Sequence, residues 1–168
     1  MAVRNPRSQT TEWIASRHPD TILYGIIITG AVMSATAGHE TSARRIVATT
    51  LFVLGIYWLA DLYVRAFAEQ FHGARRPLSE RIPAAARHES GVLLGGVPAL
   101  GTFTVMTAVG VAPGFAADVA LWLTVAELGG LGYLSARRAG ATAREALVES
   151  AFAALLGVLM VVSKTLLH

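Results

Sequence analysis

Asp61, Arg65 and Glu69 stand at successive four-residue steps in the stretch FVLGIYWLADLYVRAFAEQF, Phe52 to Phe71. On a helix that spacing sets all three on one face. Arg65 between two carboxylates predicts charge pairing within Asp61, Arg65 and Glu69. Asp61 is the deepest of the three in an apolar run. A central Asp costs about 2.5–3.5 kcal/mol on insertion scales, so it needs partners or a purpose. The stripe reads either as an ion-paired helix end in contact with water or as a polar site turned toward the interior of a bundle.

Glu127 lies in LWLTVAELGGLGYL, far from any basic residue in sequence. An intramembrane carboxylate is by default a candidate for an ion or proton pathway. The structural alternative is a neutral Glu hydrogen-bonded between helices. Glu149 follows one turn into the next apolar segment. Asp61, Glu127 and Glu149 are therefore the candidate transport path. His88 with Glu89, and His18 with Asp20, fall at the same ends of neighbouring segments and are expected to converge there with Glu149. Carboxylates with imidazoles suit divalent transition metals, although polar groups at helix ends are also ordinary interfacial residues. No HExxH or other tight metal spacing occurs, nor a P-loop, a Gly-x-Ser-x-Gly elbow or a dinucleotide fingerprint. No catalytic residue and no bound cofactor is expected. A divalent metal ion would be cargo. His39 with Glu40, or His88 with Glu89, would be the acid–base pairs of a lipid-acting enzyme, the least favoured class.

The elements that must hold these groups are apolar. Of 168 residues, 54% are hydrophobic and 15% charged, against about 25% charged in soluble domains. Mean hydropathy is +0.52. Charge falls in short clusters between long uncharged runs, which argues for a polytopic membrane protein. There is no Cys, so disulfide and thiolate chemistry are excluded. The net charge of +3 comes with basic residues that are nearly all Arg, scattered over short loops without interleaved aromatics. That argues against nucleic acid as a partner.

Five apolar segments are expected as transmembrane helices: Thr21–Ala37, Ile46–Ala66, Gly91–Val111, Phe115–Ala136 and Ala146–Leu167. Each approaches the ~20 residues that cross a ~30 Å hydrocarbon core. Residues 1–20 form a polar tail with no cleavable-signal pattern; residues 21–168 form the helical domain. Residues 70–90, QFHGARRPLSERIPAAARHES, are a charged segment suited to a short interfacial helix. Pro113–Gly114 marks a tight turn, and Asp118 suits the start of the fourth helix. Thr142 with Glu145 matches a capping box for the fifth helix. Gly91 with Gly95 is a GxxxG step for close helix packing, and Pro98 is expected to interrupt the third helix. Eleven basic residues lie on one side: Arg4, Arg7 and Arg17; Arg65, Arg75, Arg76, Arg81 and Arg87; Arg137, Arg138 and Arg144. Three lie on the other: Arg44, Arg45 and Lys164. The positive-inside bias then places the N-terminus in the cytoplasm and the C-terminus outside.

Three stretches carry a family resemblance. ADLYVRAFAEQ, with Asp61 and Tyr63, resembles the end of the second span of the vacuolar iron transporter family. GYLSARRAGATAREALVESAFAALLGVLM is similar to its last two spans, and YGIIITGAVMS falls where that family begins its first span, with Met33 near a family methionine. The resemblance implies a five-span fold with a cytoplasmic N-terminus and metal-ion transport. Two family features are absent. Ile27 and Ile28 stand near the place of the first-span Asn and Asp, and the long Glu-rich cytoplasmic segment is missing.

The expected molecule is an all-α bundle of five transmembrane helices in a bacterial plasma membrane. Its Gly/Ala-rich faces predict a homo-oligomer, with the lipid bilayer as its other partner. The expected function is ion transport, possessing a proton-coupled or divalent-metal form. The alternative is a non-transporting membrane scaffold or accessory subunit.

Overall fold

The computed structural model describes residues 19–37, 42–71 and 78–166. Among these the chain is all-α, with five helices: α1 (Pro19–Thr36), α2 (Ala43–Phe71), α3 (Leu78–Ala108), α4 (Pro113–Arg138) and α5 (Ala143–Leu166). Four of them contain windows long and apolar enough to cross a membrane: Ala43–Arg65, Glu89–Ala108, Pro113–Arg138 and Ala143–Leu166. The fifth, α1, has 18 residues, or about 27 Å of helix at 1.5 Å per residue.

The shortest helix is the central one. α1 contacts all four others and lies closest to α3, while α4 and α5 form the other tight pair. Met33 of α1, Ile46 of α2, Phe103 of α3 and Ala117 and Leu121 of α4 form one fully buried cluster. A second cluster joins Ile28, Leu54, Val92 and Leu100. The outer helices turn large apolar side chains outward instead. Phe52 is 69% exposed and Phe152 71%. Only 17% of the apolar window of α2 and 11% of that of α5 is buried. In water such faces would exceed any ordinary apolar patch on a monomer.

Small residues and hydroxyls make the close contacts, as expected where apolar burial does not drive helices together. A Cβ on Gly95 would run into the Ile22 carbonyl oxygen, and one on Gly25 into that of Val92. The Gly91/Gly95 step is thus the face on which α1 lies. Ser34 Oγ of α1 donates to the Met160 carbonyl of α5 at 2.7 Å, and Ser150 Oγ of α5 donates to the Gly129 carbonyl of α4 at 2.8 Å.

The α3–α4 and α4–α5 joints are built alike. Gly110 (φ 91°) and Gly140 (φ 88°) take the left-handed conformation. The amides of Gly110 and Val111 donate to the carbonyls of Thr107 and Met106, and those of Gly140 and Ala141 to Arg137 and Ala136. Both are Schellman ends. The turning glycine at the first joint is therefore Gly110, and Gly114 lies inside α4. The predicted capping box is present: the Thr142 amide donates to Glu145 Oε2 at 2.7 Å and the Glu145 amide to Thr142 Oγ1 at 3.4 Å.

Three local expectations differ from the structure. α3 runs without a break through both Pro83 and Pro98. Pro98 is exposed on α3. The charged segment 70–90 does not form a separate interfacial helix over its described part: residues 78–90 are the leading turns of α3. Asp118 lies beyond the first turn of α4, which holds no acidic residue. The N-cap is Ala112 without a side-chain bond, followed by Pro113 in the first turn, where a missing N–H costs nothing.

Candidate functional site

The helix directions bring the start of α1, the end of α2, the start of α3 and the α4–α5 joint to one end of the bundle, here the Arg-rich end. Arg65 closes the apolar window of α2, and Glu89 opens that of α3. The Arg65 guanidinium pairs with Glu89 Oε1 across the two helices. Glu89 is completely buried, whereas the Arg65 side chain is 39% exposed. Asp61, one turn back along α2, lies beside Glu89. Two carboxyl groups and one guanidinium thus form one cluster between α2 and α3. Beside it a cavity of about 300 Å³ is lined by Tyr24 of α1, by Tyr57, Ala60, Asp61 and Val64 of α2, and by Val92 of α3. Its walls are mostly apolar, with Asp61 and the two tyrosines as the polar lining.

Of the sequence-predicted residues, Arg65 pairs with Glu89 of α3, and Asp61 lies beside that Glu89. The side chain of Glu69 lies outside the described set. Glu89 was legible in sequence as a polar residue opening the third apolar segment; its burial and its pairing with α2 were not. Glu127 is half-buried on α4, with its Oε2 shielded and without a hydrogen-bond partner among the described residues. It does not line the Asp61 cavity. Of the residues expected to converge here, Glu89 is buried in the cluster, Glu149 of α5 and Asp20 of α1 are exposed, and His18 and the side chain of His88 lie outside the described residues. His39 and Glu40 also lie outside them. Among the described residues no three His, Asp or Glu side chains are grouped to hold a metal ion.

No protein-family model, curated protein or solved structure matches this chain. The site is therefore read from its own geometry.

The far end of the bundle holds a second charge pair. Lys164 Nζ donates to Asp118 Oδ1 at 2.5 Å and to the Gly114 carbonyl at 3.2 Å, tying the end of α5 to the first turns of α4. The Lys164 side chain is only 11% exposed. Both members are spent on each other, so this pair reads as a structural clasp. Thr104 and Thr107 donate to the Leu100 and Phe103 carbonyls of their own helix, at 2.7 and 2.9 Å. They offer no hydroxyl-lined pore.

Proposed function

We propose that this chain is an integral membrane protein whose five helices all cross the bilayer, with the Arg-rich end in the cytoplasm, and that it carries ions through the Asp61–Arg65–Glu89 cluster. The observation that supports transport best is Glu89, wholly buried beside Asp61 and paired with the Arg65 guanidinium. With both carboxyls ionised the cluster carries one uncompensated negative charge. One proton or one cation neutralises that charge. The cluster therefore exchanges one positive charge, as a proton or a cation, without disturbing the Arg65 pair. The cavity lined by Asp61 gives that charge a way in, and Glu127 is the next carboxylate along an ion's route through the bundle. A likeness of the second span to vacuolar iron transporters would make the cargo a divalent metal ion.

The test is flux through proteoliposomes, read with an internal pH dye and with a divalent-metal dye. Glu89→Gln keeps shape and hydrogen bonding but removes the exchangeable charge. It is expected to lower flux at least about tenfold, which corresponds to about 1.4 kcal/mol. Glu127→Gln is expected to lower it too. Wild-type flux in both variants, with helical content retained, would leave transport without support.

One observation favours the scaffold reading. α2 and α5 leave long apolar faces with little buried surface, suited to other transmembrane helices. A helix-association partner on either face, with no flux through the reconstituted chain, would be the expected result of that reading.

A further inference from the structure

The far end carries a groove distinct from the Asp61 cavity. It has a volume of about 460 Å³, is open to the side of the bundle, and lies between α2 and α3. Its walls are Ala43, Val47, Ala48 and Leu51 of α2 and Thr104, Thr107 and Ala108 of α3, with the exposed Arg44 of α2 as the charged member of the lining. The volume is within the ~300–1,000 Å³ range of small-ligand sites. The lining is almost wholly apolar. The threonine hydroxyls bond their own helix, so their methyl groups are what they offer the groove.

Arg44 is exposed and forms no hydrogen bond or ion pair among the described residues. It stands in the first turn of α2, which holds no acidic residue. The helix dipole there opposes a cation rather than neutralising it. Lys164, the other cation of this end whose partner is known, is already matched by Asp118. An apolar slot on the side of a transmembrane body, with a cation in its lining, matches one kind of molecule: an acyl chain ending in an anionic headgroup.

We propose that this groove binds one anionic phospholipid, its acyl chain along Val47, Ala48 and Leu51 and its phosphate on Arg44. The inference rests on the bilayer placement proposed above and is independent of ion flux. An arginine beside such a groove meets a headgroup phosphate through charge-assisted hydrogen bonds.

The full chain, purified in detergent, is titrated with phosphatidylglycerol and separately with phosphatidylcholine of the same acyl chains. Bound lipid is counted by native mass spectrometry. Wild type is expected to take its first phosphatidylglycerol at about fivefold lower concentration than phosphatidylcholine, the effect of one arginine near a headgroup. Arg44→Gln is expected to erase that preference. Ala48→Trp, which fills the groove from an exposed position, is expected to weaken both lipids; circular dichroism shows that each variant keeps its helices. Equal affinity of the wild type for both lipids overturns the proposal. So does an unchanged preference in Arg44→Gln, displacement by inorganic phosphate alone, or a second copy of the chain occupying the groove. A chain that stays monodisperse without detergent overturns the bilayer placement itself. A detergent-bound chain indifferent to headgroup overturns the lipid site alone.

Discussion

Arg65→Leu is expected to destabilise the bundle by about 3 kcal/mol, the low end of the range for breaking a buried ion pair. Glu89 is fully buried, and the substitution leaves its carboxyl beside Asp61 without its guanidinium partner. The low end applies because Arg65 itself is over a third exposed and already shares its charge with water. Unfolding by SDS in mixed micelles reads the loss. Removing both partners is far less harmful than removing one. Arg65→Leu combined with Glu89→Gln is therefore expected to recover most of the stability while flux stays low. That split separates the pair's contribution to the fold from its contribution to ion handling. Additive losses in the double variant would mean that the two side chains do not act as a pair.

The second large effect belongs to the α1–α3 seam. Gly95→Val is expected to cost about 3 kcal/mol or more, at or beyond the upper end of ordinary overpacking. The new Cβ would meet the backbone carbonyl of Ile22, which cannot rotate away as a side chain does. α1 would have to lift from α3, and it is the helix that touches all the others. Gly101→Ala is the control in the same helix. A Cβ there meets nothing within 4 Å, and replacing a mid-helix glycine by alanine gains about 0.5–1 kcal/mol. Both are read by the same SDS titration. Comparable losses at the two positions would show that helix propensity, not close approach, sets the effect.

What the residues revealed in advance was local. The five helices follow from uncharged runs of suitable length, and the Thr142–Glu145 cap from a three-residue spacing. The Gly91/Gly95 step marked a packing face because small residues at i and i+4 can do little else on an apolar helix. What they concealed was relational. Arg65 has carboxylates at i−4 and i+4, so the helical rule points to its own helix; the pair with Glu89 depends on the register of α2 against α3. The Asp118–Lys164 clasp joins residues 46 positions apart, and no periodicity connects them. The central place of α1 was hidden for a further reason. Hydropathy reports how greasy a segment is, not whether lipid or other helices surround it. Gly110 was overshadowed as a turn residue by Pro113–Gly114, whose proline begins the next helix instead.

Membrane sidedness decides whether the proposed Asp61–Arg65–Glu89 cluster lies at the cytoplasmic end of the bundle. The chain has no Cys of its own, so single cysteines can report sidedness without background. Ala112→Cys at the α3–α4 joint and Ala141→Cys at the α4–α5 joint sit at opposite ends of α4. In intact bacterial cells a membrane-impermeant maleimide is expected to label the first, and to reach the second only after the membrane is opened. Labelling of both from outside, or of the second alone, would contradict the account.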